Sequence, residues 1–487
     1  VCLQHSKFIR CCDQSPALVL DDHLRRIPGF SLFRRSSSLS SHPTTQGVSL
    51  RGIGPSGTSR SLVLFDGIPL NDPFGGWVYW NRIPTLALEQ VEVARGATSQ
   101  LYGSSALGGT LQLRPLEPGP GRFEIRAEVG NRETYDVSAL TSEKKGGWGY
   151  LLSGRVFDTG GFFIVSEEER GAVDTPARVE FQSFLGRVEY KRAHAGVNLF
   201  REKRNNGTQI QENNSWLALV NGGLEGQSWR LRLYSQFQEL NSTFSRVLPD
   251  RSQEFKTADQ HFPSSGFGSS FTWQPSGEIL LGADWRQARW EEKVQNLSGV
   301  FAQYLESVHP RLDVLVGARF DVWENQSTET SFNPRAGLLF RADPAVTVRG
   351  SLYRGFRAPT LNELYRPFRV GNIRTQANPG LTEEYLWGFE GGLDFHPHPA
   401  LFVRLNGFWN TLEDPVSNVT VSVTPDLIFR QRQNLGSGTI KGVETEVVRR
   451  LASRWALRAS YLYSQAVVVE TRRLFPQVPR HQGLVAA

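Results

Sequence analysis

The sequence predicts a mainly β protein, with a small N-terminal α+β unit ahead of a large antiparallel transmembrane β-barrel. Three observations carry this. From Arg122 onward, polar and apolar residues alternate with period two in about eighteen segments. The connections between those segments are roughly alternately short and long, as in an outer-membrane barrel with short turns on one side and long loops on the other. The 487 residues include 47 Gly, 30 Phe and 12 Trp but are only 39% hydrophobic, which suits strands that are apolar on one face only.

Bulk properties set the limits. A chain this long exceeds one ordinary core, so two or more units are expected. No run of about 18 apolar residues occurs, which excludes a transmembrane helix; a spanning strand needs only about 10 alternating residues. The net charge of +6 is small and the 54 basic residues are scattered, so no nucleic-acid partner is expected. Cysteine is confined to Cys2, Cys11 and Cys12, an odd number with no second pair at zinc spacing. Neither a disulfide framework nor a metal site is expected. The chain has no Met and no basic–apolar–small leader, so it reads as a fragment with a ragged segment over 1–14.

The first unit spans residues 15–115. Leu18, Leu20, Leu24 and Ile27 predict a short helix over Ser15–Ile27, closed by Pro28-Gly29. Phe30–Arg35 reads as a strand and Ser36–Thr45 as a loop. Four short strands closed by glycine turns follow between Val48 and Leu113, around Leu-Arg-Gly (Leu50–Gly52), Leu-Val-Leu-Phe-Asp-Gly (Leu62–Gly67), Val-Glu-Val-Ala-Arg-Gly (Val91–Gly96) and Leu-Tyr-Gly (Leu101–Gly103). Residues 116–121, rich in Pro and Gly, form a linker.

Residues 122–487 form the second unit. Phe123, Ile125, Ala127 and Val129 share one face of the first strand, and Arg122, Glu124, Arg126 and Glu128 the other. Similar runs centre near Tyr135, Tyr150, Phe184, Val197, Leu217, Leu231, Phe271, Leu281, Phe301, Leu315, Ala336, Val348, Phe389, Val403, Val443 and Ala459. Tight turns are expected at Lys145–Gly147, Pro275–Gly277, His309-Pro310, Asp343-Pro344 and His396–Pro399. Long polar loops are expected at Asp158–Arg178, Arg201–Asn214, Glu239–Ser265 and Gly355–Glu383.

The N-terminal run of strands resembles the plug domain of TonB-dependent outer-membrane receptors. Tyr353–Tyr365, Asn378–Glu384 followed by Glu390, and Asn434–Gly436 through Lys441–Glu444 resemble the barrel motifs of the same family. The resemblance implies a plug seated inside a barrel of 22 strands, of which about 18 are present. Four strands would then be absent at the C-terminal end, leaving an open seam at Arg122–Val129 and Arg454–Tyr463.

It also implies site residues. Arg51 and Arg95 match the plug, and Glu390 and Glu444 match plug-facing barrel glutamates, so these four are expected to lock plug to wall; buried opposite charges need one another. Outward plug loops would hold substrate through Ser56, Arg60, Asn71, Asp72, Phe74, Trp77, Tyr79 and Trp80. The aromatic run Asn71–Trp80 is equally compatible with rings packed against the wall. Gly52-Ile53-Gly54-Pro55-Ser56-Gly57 matches a dinucleotide fingerprint in letters only, because a strand follows it rather than the helix that a pyrophosphate requires. None of the nine histidines falls in a catalytic constellation. Catalytic residues, metal and cofactor are therefore not expected.

The resemblance implies active import of a scarce large nutrient, a ferric siderophore, cobalamin or similar complex, across the bacterial outer membrane. TonB with ExbB–ExbD would supply energy, and outer-membrane lipid and lipopolysaccharide would surround the barrel. A passive porin and a receptor for glycans are the alternatives.

Overall fold

The computed structural model describes residues 6–10, 17–33, 35–53, 58–370, 372–452 and 455–486. Ser56, Cys2, Cys11 and Cys12 lie outside them.

The N-terminal unit is built on a five-stranded sheet in the order Ser6–Arg10, Leu88–Arg95, Gly109–Pro115, Ser61–Phe65, Ile68–Pro69. Ser61–Phe65 and Gly109–Pro115 run parallel; the other pairs are antiparallel. A parallel pair needs a crossover, and the chain between them supplies it with the helix Ser99–Tyr102. The helix expected over Ser15–Ile27 is realised only at Leu20–Leu24. The backbone ahead of it is extended at Val19, and the Leu18 carbonyl accepts a 2.6 Å hydrogen bond from the barrel residue Arg155. A tertiary contact thus claims a carbonyl that local helix pairing would use. The expected strand at Phe30–Arg35 shortens to Phe30–Leu32, paired with Val48–Leu50.

Eighteen antiparallel strands then close into a barrel, from Arg122–Gly130 to His481–Ala486. Along each wall strand the burial pattern is the reverse of a soluble core. Leu152 and Val156 are exposed, whereas Ser153 and Arg155 between them are buried. Apolar side chains face lipid and polar ones face the lumen. The Leu-rich plug core, including Val63, Val91, Val93 and Leu111, continues without a break into Leu140, Leu151, Leu185 and Leu219 of the wall. The plug therefore sits inside the barrel.

Two expectations are corrected. The seam is not open, because His481–Ala486 lies hydrogen-bonded beside Arg122–Gly130 and pairs on its other side with Ala456–Val468. An unpaired edge would leave backbone N–H and C=O groups that lipid cannot satisfy, and an even set of eighteen strands can close without it. Long loops at Arg201–Asn214 and Glu239–Ser265 are also largely absent: the strands Trp229–Val247 and Glu254–Trp273 run on and leave only residues 248–253 between them. Strand that projects beyond lipid needs no apolar face, so its polar sequence looks like loop. The 160–178 connection and the 358–383 connection are long, the latter carrying the helix Leu361–Tyr365 and two short strands.

Candidate functional site

The contact between plug and wall is organised around arginines that end plug strands. Arg51 follows Val48–Leu50 at a sharp turn in which Arg51 (φ 54°) and Gly52 (φ 73°) both adopt the left-handed region. This turn aims the side chain at the wall, where it is fully buried. Its guanidinium grips Glu444 with two bonds, Nε to Oε1 at 3.0 Å and Nη2 to Oε2 at 2.9 Å. Nη1 donates to Glu390 at 2.8 Å, and the ring of Phe408 lies 4.4 Å below. Arg95, at the end of Leu88–Arg95, donates to Glu444 at 2.8 Å. The structure thus brings all four expected residues into one buried, charge-balanced network, with Arg95 reaching Glu444 and not Glu390. Burial alone would depress the Arg51 pKa, but Glu444 and Glu390 outweigh it and hold it well above the ordinary range. A charge-assisted, bidentate pair is the geometry in which a buried ion pair offsets its desolvation.

Two further anchors carried no expectation. Glu384 receives Arg60 of the plug at 2.8 Å through Nε and Arg357 of the wall at 2.8 Å, and Arg357 in turn binds Glu363 at 2.8 Å. Asp66 heads the tight Asp66-Gly67 hairpin, both residues at positive φ (49° and 82°). It meets Arg187 at 2.8 Å and Arg232 at 2.9 Å. Burial would raise its pKa, yet the two guanidiniums bring it below the usual value. Glu384 sits inside the Thr-Glu-Glu motif already singled out, so a second buried acid was legible there. Asp66 offered only a turn signal.

The predicted substrate floor is corrected in part. Arg60 is buried against Glu384 and serves the wall contact instead. Phe74, Trp77, Tyr79 and Trp80 are all at most 3% exposed. Phe74 packs on Phe262 and Trp290 at ring-centroid distances of 5.6 and 4.9 Å, and Tyr79 on Phe200 at 6.2 Å. Wall rings therefore cover Phe74 and Tyr79, and Trp80 packs edge-on against Phe30 of the plug at 5.6 Å, leaving no free ring face for a flat ligand. Asn71 and Asp72 shape the loop from within. Asn71 accepts from the Val63 N–H at 2.8 Å, while Asp72 accepts from Phe74 N and Gly75 N at 2.8 and 2.6 Å and from Gln238. Burial pushes the Asp72 carboxyl up to about 7. The segment lies at the expected end of the barrel, beside Phe157, Val179 and Phe181, which flank the 160–178 loop.

Above it, two buried guanidiniums have no carboxylate partner among the described residues. Arg366 stacks 4.1 Å from the Phe262 ring and donates to Gln260, with its Nε unpartnered. Arg432 donates to the backbone carbonyls of Asn362, Glu363 and Arg366 at 2.6, 3.2 and 2.7 Å. Burial lowers Arg366 to about 9 and Arg432 to about 10. The sequence offered no signal for this pair beyond the place of Arg366 in the expected Gly355–Glu383 loop; Arg432 lies in the short strand Ile428–Asn434.

Two family models match the chain: the TonB-dependent Receptor Plug Domain over residues 12–110, and the TonB dependent receptor-like beta-barrel over residues 150–486. The iron-regulated outer membrane virulence protein of Vibrio cholerae (El Tor Inaba N16961) is 24% identical over 439 residues, covering 82% of this chain and 64% of that protein. The vitamin B12 transporter BtuB of Photobacterium profundum is 21% identical over 426 residues, covering 83% of this chain and 66% of that protein. The chain thus spans 64% and 66% of the length of these relatives. Among solved structures, the siderophore receptor PirA from Acinetobacter baumannii superposes with a TM-score of 0.77 at 15% identity, over 98% of this chain and 82% of that one. A point mutant of the ferric enterobactin receptor PfeA from Pseudomonas aeruginosa, in complex with enterobactin, gives 0.78 at 16% identity, over 99% and 84%. At these identities the structural likeness is one of fold.

Proposed function

This chain belongs to the TonB-dependent receptor family and lies in the outer membrane, and from that premise we propose that it actively imports a scarce, large nutrient complex. One observation carries the reading: the plug blocks the lumen, closed against the wall by the rings of Phe74, Phe262 and Trp290, and is bound to it by buried ion networks. A solute can cross only when part of that plug moves. Breaking such pairs leaves buried charges unpartnered at a cost of about 3–5 kcal/mol each, so movement needs an energy source outside this membrane. TonB, driven by ExbB–ExbD, is the partner that fits. The same blockage argues against the passive porin, and the burial of Phe74, Trp77, Tyr79 and Trp80 leaves no exposed aromatic surface there on which a glycan could stack.

The cargo class follows from Arg366 and Arg432. Two buried guanidiniums that no carboxylate among the described residues hydrogen-bonds, flanked by Phe262 and Phe368, favour an anionic aromatic chelate such as a ferric siderophore over cobalamin. In cells lacking the gene, uptake of radiolabelled ferric enterobactin and of cyanocobalamin would be compared before and after complementation. Saturable uptake of the ferric complex that disappears with a protonophore or without TonB is the expected result. Uptake indifferent to both treatments would overturn the proposal.

A further inference from the structure

The plug is held unevenly around its rim. On one arc, Arg51, Arg95 and Arg60 are paired with Glu444, Glu390 and Glu384 of the wall. Gly96 packs there too, so close to Tyr353 that an added Cβ would lie 2.6 Å from its hydroxyl. On the arc made by Trp229–Val247, Glu254–Trp273, Ile279–Trp290 and Lys293–His309, plug and wall stand apart around a cavity of about 640 Å³. That volume falls within the range of small-molecule sites. Leu62, Leu64 and Gln112 line it from the plug, and Ser270, Thr272 and Arg286 from the wall. It reaches residues 226–228 and Ser276-Gly277, the turns of the short-turn mouth, which in this membrane faces the periplasm.

Its flanks are pinned: Asp66 to Arg187 and Arg232 on one side, and the Tyr102 carbonyl to Arg286 at 3.0 Å on the other. Two strands that line the cavity continue outward to Phe262 and Trp290, which close on Phe74. This arc is therefore open below and sealed above by neutral rings. Parting Phe74 from Phe262 and Trp290 breaks no ion pair and leaves Arg366 stacked on Phe262, whereas parting Arg51 from Glu444 would leave buried charges unpaired. We infer that solute crosses along this arc, with Phe74, Phe262 and Trp290 as the outer gate and the cavity as the inner half of the route, while the Arg51–Glu444 side stays shut. The inference rests on the import reading and adds to it the side of the plug that opens.

The test is electrical and needs no cargo. The full chain, with Cys2, Cys11 and Cys12 changed to Ser, is placed in planar bilayers in KCl, and heat-dependent gel mobility confirms a folded barrel for each variant. The parent should be closed. Phe74→Ala/Trp290→Ala and, independently, Phe74→Ala/Phe262→Ala should each carry a steady current. Adding Ser270→Cys and a cationic methanethiosulfonate reagent from the short-turn side should remove most of that current. Ser138→Cys, on the lumen face of Thr134–Lys145 and away from the cavity, should leave it intact. Folded aromatic variants that stay closed, or equal block at both cysteines, would overturn the route alone. A parent that conducts steadily would overturn the import reading and the route with it.

Discussion

Arg51 concentrates the plug's attachment in one side chain. Its left-handed backbone (φ 54°) costs on the order of 1–3 kcal/mol, and three hydrogen bonds to two glutamates hold it there. Glu444 is the shared acceptor for Arg51 and Arg95, so Glu444→Gln should leave a buried excess of positive charge and destabilise the plug–wall contact by about 3–5 kcal/mol. The urea midpoint followed by tryptophan fluorescence measures this, and an unchanged midpoint would remove the lock. Asp72 makes a second prediction. Its folded pKa is raised to about 7, so between pH 4 and 7, roughly, the folded plug holds a proton that the unfolded chain has lost. Stability should therefore fall as pH rises through that window and level off above it, by at most about 4 kcal/mol. Asp72→Asn should flatten that part of the profile in urea titrations at pH 4.5 and 7.5.

At the level of the element, a wall strand is defined by which neighbour each face meets. In Trp148–Thr159, Leu152 is paired with Gly186 and Thr141 near mid-strand and faces lipid. Phe255 is equally outward but lies on the projecting end of Glu254–Trp273, opposite Arg246. Leu152→Arg should cost about 2–4 kcal/mol and Phe255→Arg about 0–1, because the penalty for charge on the outer face falls toward and beyond the interface. Reversible unfolding in lipid vesicles reads both. Equal costs would place the end of the Glu254–Trp273 strand within the membrane.

For the whole molecule, closure matters more than any single strand. The short strand His481–Ala486 bridges Ala456–Val468 to Arg122–Gly130. Deleting residues 481–486 should leave two unpaired edges, and the chain should no longer show the heat-dependent gel mobility of a folded barrel. A deletion variant that folds normally would mean that the first strand and Ala456–Val468 pair directly. The same closed wall explains why the plug is so thoroughly buried: Val63, Val91 and Leu111 pack on its inward face through Leu140, Leu151, Leu185 and Leu219.

Period-two alternation was enough to locate seventeen of the wall strands, because a strand between lipid and lumen must alternate wherever it crosses. The plug motifs, and Glu444 as a partner for Arg51, were legible through the family resemblance, and the need of a buried charge for an opposite one supplied the physical reason for the pairing. Closure by His481–Ala486 was not, since six residues carry too little pattern to mark a strand. Nor was the fate of Phe74, Trp77, Tyr79 and Trp80. An aromatic run in a loop suits a ligand or a wall equally well, and only the position of Phe262, Trp290 and Phe200, brought there by strands far along the chain, decides what Phe74 and Tyr79 meet, while Trp80 turns into the plug against Phe30. Glu384, Asp66, Arg366 and Arg432 belong to the same class. Their partners come from distant parts of the chain, which meet only once the barrel has closed around the plug.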